Sequence, residues 1–129
     1  MAHIINYINQ TNHIDIDDLL VILAKDFKIV QNDSIFMLKY LLKMNSNDII
    51  RKTRGIIIDK KTKKIINYPL EGKISLATFK NKIKWDDVVI EESIDGTLIN
   101  MYYYNNKWNY STTGTLNAKC YWNSKHSFK

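Results

Sequence analysis

The sequence predicts an α+β domain, a mostly antiparallel β-sheet with an N-terminal helix. Three observations predict it. Between Asp15 and Phe27 apolar residues recur at three- and four-residue spacing. From Gly55 to Tyr110 they run instead in short arms separated by polar turns. The chain has 129 residues, 45% of them hydrophobic and 25% charged, which is one domain's worth of material with enough apolar surface for a core.

The helix is expected over Asp15 to Phe27, with Ile16, Leu19, Leu20, Leu23 and Phe27 on its buried face. Asp15 suits its N-cap, and Asp17 and Asp18 suit the positive end of its dipole. Lys28–Gln31 and Ile35–Leu41 read as two segments around the polar turn Asn32-Asp33-Ser34. The first is extended. The second fits a strand or a helix, because its apolar run has no clean period. Asn45–Asp48 is a loop, and Asp48 suits the cap of a short helical turn over Ile49 to Lys52.

Beyond this the pattern is β. Gly55–Asp59 and Lys64–Tyr68 form a hairpin around Lys60–Lys63. The unbroken apolar run of the first arm suits a strand buried on both faces. Pro69 ends the second arm, since it cannot donate to a ladder. Val88–Glu92 is expected to be a further strand, entered past Trp85, with Asp95-Gly96 as a tight turn. Leu98–Tyr104 and Lys107–Tyr110 flank Asn105-Asn106 as a second hairpin, with Met101 and Tyr103 on one face and Leu98, Asn100, Tyr102 and Tyr104 on the other. No repeat or low-complexity linker divides the chain. It reads as one domain over 1–129: helix and strands over 1–53, a motif region over 54–115 and a C-terminal segment over 116–129.

The formal charge is +6, carried almost wholly by lysine; Arg51 and Arg54 are the only arginines. A basic surface favours polyanions, RNA among them. One cysteine, Cys120, allows no intramolecular disulfide and fits a reducing compartment. His3, His13 and His126 lack metal-ligand spacing, so no metal site is expected. There is no signal-peptide pattern, and no apolar run approaches the roughly 20 residues of a membrane span. The expectation is a cytoplasmic protein with no membrane partner.

The chemistry lies in an ordered succession of motifs. Arg54-Gly55-Ile56-Ile57-Ile58-Asp59 opens the first hairpin, and Tyr68-Pro69-Leu70-Glu71-Gly72-Lys73 follows it. Glu91-Glu92-Ser93-Ile94-Asp95-Gly96-Thr97 closes the expected strand after Trp85. Tyr110-Ser111-Thr112-Thr113-Gly114-Thr115 follows the second hairpin. This order resembles the N-terminal part of the adenylyltransferase domain of ATP-dependent RNA ligases, especially the bacteriophage tRNA-repair type. The likeness runs from Arg54 to Thr115, about half the chain.

The resemblance implies a partial nucleotidyltransferase fold with ATP and Mg2+ as the family's cofactors. In that family a lysine before Asp-Gly attacks the α-phosphate of ATP to form lysyl-AMP, and nearby cations gather the phosphates. AMP then passes to an RNA 5′-phosphate, and a 3′-hydroxyl displaces it. Here Ser93 holds the nucleophile's position. Its oxygen sits next to Cβ, well short of a lysine amine's reach, and no base stands beside it to ionise it. The nucleotide- and phosphate-binding positions implied by the resemblance are Arg54, Lys73, Glu92, Asp95, Gly96 and Thr113. Strict spacing from Pro69 lands on Gly72, and a one-residue insertion restores Lys73. Thr113 stands where the family has a basic residue. The family's later motifs lie beyond the length of this chain, which ends at Lys129.

The leading expectation is therefore a degenerate RNA ligase-like protein that does not form lysyl-AMP. It would retain nucleotide or RNA affinity, with Tyr102, Tyr104 and Trp108 as stacking contacts. Two alternatives stand beside it. One is a genuine RNA ligase seen as a component of a longer protein. The other is an interaction protein, a homodimer formed through a sheet face left uncovered by the missing half of the fold.

Overall fold

The computed structural model describes residues 2–11, 13–40, 53–69, 75–81, 83–92 and 94–119. Its element order is α1 (Ala2–Gln10), α2 (Ile16–Leu23), β1 (Phe27–Gln31), β2 (Ile35–Tyr40), β3 (Arg54–Asp59), β4 (Ile65–Asn67), α3 (Leu76–Lys80), a single 3-10 turn (Trp85–Asp87), β5 (Ile99–Tyr104) and β6 (Lys107–Thr112). The strands form an antiparallel sheet in the order β1-β2-β3-β4 and a separate ribbon, β5-β6. The α+β class and the antiparallel pairing are as the sequence predicts.

Two apolar clusters lie on opposite faces of the four-stranded sheet. On one, Ile4 and Ile8 of α1 and Leu19, Leu20 and Leu23 of α2 pack with Phe27, Phe36, Leu38, Ile56 and Ile58. On the other, Ile35, Met37 and Ile57 pack with Tyr102 of the ribbon, flanked by Tyr104 and Leu116. The layers are thus helices, sheet, ribbon. Ile56, Ile57 and Ile58 are fully buried, which is what the unbroken apolar run of this arm implies for a strand covered on both faces.

Local chemistry sets the boundaries. Asp15 caps α2 by accepting from the Asp17 amide at 3.1 Å. The helix stops at Leu23, four residues short of the expected end, and Phe27 opens β1 instead. Phe27 still enters the same cluster as Leu23, so the spacing that suggested one long helix reflects shared burial across a turn. Asn32 fixes the β1–β2 turn: its Oδ1 accepts from the amides of Ser34 and Ile35, each at 3.0 Å. Ile35–Leu41, open between helix and strand in the sequence, is a strand over its described part. Asn105 and Asn106 both adopt positive φ, 52° and 57°, the two-residue turn that matches the twist of a β-ribbon.

Two helices have no counterpart among the expected elements. α1 contributes Ile4 and Ile8, one helical turn apart, to the core. α3 is capped by the Ser75 hydroxyl, which accepts from the Thr78 amide at 3.1 Å. The loop Asn45–Asp48 and the helical turn over Ile49–Lys52 lie outside the described residues.

One expected strand is absent. Val88–Glu92 is irregular backbone and has no ladder partner among the described residues. Val89 and Ile90 are 80% and 89% exposed. β-branched residues favour a strand only where a neighbouring strand accepts the hydrogen bonds and packs the side chains, and none does so among the described residues. Asp95-Gly96 is correspondingly an exposed bend rather than a hairpin turn.

Candidate phosphate site at the Gly55 bulge

The most informative local irregularity is in β3. Leu38 pairs with Ile56, but the next residue of β2, Lys39, pairs with Arg54. Gly55 is therefore an extra residue, a β-bulge, with φ of 84° that glycine adopts without a Cβ penalty. Simple alternation from Ile56 and Ile58 would face Arg54 towards the helices. The bulge resets the alternation and sets Arg54 opposite Lys39, on the ribbon side of the sheet.

The bulge also meets the loop after β6. A Cβ on Gly55 would lie 3.0 Å from Thr113 Cα and 3.2 Å from its carbonyl oxygen, so the two backbones touch. At Gly114 the corresponding point lies 3.1 Å from the Lys39 ammonium. Two motifs far apart in sequence, Arg54-Gly55 and Thr113-Gly114, meet here with Lys39 between them. Lys39 was not legible as a site residue; only the β2–β3 register brings it in.

The Thr112–Thr115 loop is held from within. The Thr112 hydroxyl accepts from the Gly114 and Thr115 amides at 3.1 and 3.0 Å, and the Thr112 amide donates to the Thr115 carbonyl at 3.0 Å. Those amides are spent, so an anion would be held mainly by Lys39 and Arg54. Among the described residues neither side chain forms an ion pair. Like charges directly opposite on neighbouring strands repel, and an anion between them would relieve that.

Glu92, Asp95 and Gly96 are solvent-exposed, on the irregular segment, with no hydrogen bond to the bulge. Ser93 and Lys73 lie outside the described residues. Among the described residues no three His, Cys, Asp or Glu side chains gather to hold a metal. The described donors thus fit a phosphate but offer no cage for Mg2+. A separate open groove, lined by Phe79, Ile83, Lys84, Asp87, Val88 and Val89, shares no residue with the bulge.

The expected stacking residues divide by face. Tyr102 is 5% exposed and packs in the second cluster, so its ring is not presented to a base. Tyr104 points to the same side, and its hydroxyl donates to Asp59 Oδ2 at 2.6 Å. Partial burial pushes the Asp59 carboxyl up, but hydrogen bonds from Tyr104, the Thr62 amide and hydroxyl, and the Lys61 backbone outweigh it and hold the group below its usual 3.8. The same bond to Asp59, then burial and the nearby negative charge, push the Tyr104 hydroxyl above its usual 10.0. Trp108 is on the opposite, outward face.

Among the described residues the four-stranded sheet shows no bare apolar face of the kind expected for a dimer interface, because helices and ribbon pack on its two sides. Exposed apolar side chains include those of the ribbon's outer face and Val89, Ile90, Ile94 and Leu98. No family model matches the chain, and neither the curated proteins nor the solved structures yield a match. No helix among the described residues is long and apolar enough to cross a membrane.

Proposed function

We propose that this chain is an RNA ligase-like protein that holds a nucleotide or RNA phosphate between Lys39 and Arg54 without forming a lysyl-AMP bond. The single observation that carries the proposal is the Gly55 bulge, which re-aims Arg54 beside Lys39 and against the Thr113-Gly114 loop. Bulges of this kind are over-represented next to functional sites, where they turn one side chain to a new direction. The motif order supports the family reading, and Lys39 supplies a cation where Thr113 has none. Ser93 supplies no amine to attack an α-phosphate, so the reading is of binding without adenylylation.

The experiment has two arms. Incubation with labelled ATP and magnesium, followed by a denaturing gel, should leave the protein unlabelled; a labelled band would make it a genuine ligase. Titration with ATP at low salt should show binding that weakens about tenfold or more in Arg54→Ala and in Lys39→Ala, the scale of a hydrogen bond to a charged group. Equal binding by all three proteins would remove the phosphate site.

A second reading has its own observation. Val89, Ile90 and Ile94 are 80%, 89% and 85% exposed along one segment, and contiguous apolar surface of this kind marks interaction sites. Self-association would cover it. A strict monomer by light scattering at ~100 µM, far above micromolar dissociation constants, would count against the homodimer.

A further inference from the structure

The outer face of the β5–β6 ribbon carries a second inference. The register pairs Tyr103 with Trp108 and Met101 with Tyr110. These four side chains alternate away from Tyr102 and form two cross-strand rows on the face opposite the core. Their exposures are 57%, 58%, 57% and 47% in that order. Tyr103 and Trp108 meet edge to face, with ring centroids 5.4 Å apart and planes at 69°. That contact holds the pair in a fixed geometry while leaving ring surface open to solvent.

Three large aromatic rings and a methionine on one exposed face exceed the scattered apolar residues of an ordinary surface. Charge indicates what covers them. From Gly96 to Lys129 the chain contains no aspartate or glutamate and four lysines. The ribbon's own tip carries Lys107, exposed beside the paired rings. A ribbon with an aromatic outer face, no acidic residue of its own and Lys107 at its tip, on a chain of net charge +6, complements a polyanion whose repeating unit has a π-face. Successive rows on a strand lie about 6.8 Å apart, so two bases can be seated one row each. Sheet-borne aromatics that stack two or three bases are an established way to hold single-stranded RNA.

We propose that the outer face of the β5–β6 ribbon is a stacking platform for single-stranded nucleic acid, with Trp108 and Tyr110 as its principal rings. The platform does not depend on the phosphate site at the Gly55 bulge. Its rings point away from the core, whereas Arg54 and Lys39 lie on the inner side of the ribbon.

The test uses the whole chain and three labelled oligomers of about 12 units, oligo(U), oligo(dT) and an abasic phosphodiester, followed by fluorescence anisotropy at ~50 mM salt, where polyanion binding is strong. Oligo(U), alone or together with oligo(dT), should bind, and the abasic chain should bind at least ~5-fold more weakly. Trp108→Ala and Tyr110→Ala should each weaken oligo(U) at least ~5-fold, the lower end of one stacked base. Trp108→Phe should recover most of that loss. A thermal melt matching the parent's excludes misfolding as the cause. Equal affinity for the abasic chain would reduce the interaction to charge alone and overturn the platform. So would alanine variants within twofold of the parent, no binding of either polymer, or variants that alter only the oligomeric state. Arg54→Ala separates the two sites: it should lose ATP binding and keep oligo(U) binding; ATP binding retained overturns the phosphate site alone, and oligo(U) binding lost along with ATP overturns the separate platform.

Discussion

Replacing Gly55 by alanine tests the geometry on which the candidate phosphate site stands. Two costs combine. At φ of 84° a Cβ carries a steric penalty of about 1–2 kcal/mol. The new methyl would also lie 3.0–3.3 Å from the Cα, oxygen and carbonyl carbon of Thr113. These are backbone atoms of a loop closed by its own hydrogen bonds, so it cannot swing aside as a side-chain tip would. Overpacking of this kind costs about 1–3 kcal/mol. The sum is about 2–5 kcal/mol, or a fall of roughly 10–15 °C in Tm for a chain of this size. Gly114→Ala is the matched control. Its Cβ would crowd the Lys39 ammonium at 3.1 Å, the far end of a flexible side chain, and make an ordinary contact with the Thr112 hydroxyl at 3.8 Å. Its stability should stay within about 1 kcal/mol of the parent, while ATP binding weakens as the ammonium is pushed aside. Urea unfolding gives both stabilities, and ATP titration gives the second readout. If Gly55→Ala lost less than about 1 kcal/mol, or no more than Gly114→Ala, the backbone contact would be refuted and the site with it.

Tyr104→Phe should cost about 1 kcal/mol, the net value of a part-exposed hydrogen bond. It should also raise the Asp59 pKa, read by NMR titration of the carboxyl carbon; an unmoved Asp59 would mean the bond does not form in solution. The signs with pH follow. Asp59 titrates below its unfolded value, so its contribution is present above 3.8 and fades as pH falls through the folded value. Tyr104 titrates above its unfolded value, so its contribution is present below 10.0 and is lost as pH rises through the folded one. The variant should therefore flatten the stability profile at both ends. Ser111 is fully buried, and among the described residues its hydroxyl has no hydrogen-bond partner. Ser111→Ala should be neutral or stabilising by up to about 1 kcal/mol in urea unfolding, because an orphaned polar atom costs more than it returns. A loss above about 1 kcal/mol would mean that the hydroxyl is hydrogen-bonded in solution.

The parts of the fold legible in the sequence are those set by local chemistry. Asp15 marks a helix start because its side chain reaches an amide two residues on. Asn105-Asn106 marks a ribbon turn because asparagine tolerates positive φ. Ile56–Ile58 marks a central strand because only a strand covered on both sides buries every residue of an apolar run. What failed was whatever depends on a distant partner. Val88–Glu92 has strand-like residues but no strand beside it among the described residues. Phe27 keeps helical spacing because it shares a core with Leu23. The motif residues were readable, but their grouping was not: Lys39 joins Arg54 only through a register fixed by the Gly55 bulge.

The ribbon shows the same limit in sharper form. Alternation over Leu98–Tyr104 separates Tyr103 from Tyr102 and Tyr104 without saying which side faces the core. Both sides carry tyrosine, so composition gives no answer. Tertiary contact decides it: the side holding Tyr102 meets Met37 and Ile57, and Tyr104 binds Asp59 at the end of β3. Once that side is committed inward, the β5–β6 register leaves Tyr103, Trp108 and Tyr110 outside. A one-residue slip would exchange the two sets and bury Trp108 in place of Tyr102. The Tyr104–Asp59 hydrogen bond opposes that slip, because a slipped ribbon would turn the hydroxyl away from its carboxylate. Tyr104 is thus tied to Asp59, and that bond helps to keep Tyr103, Trp108 and Tyr110 on the outer face.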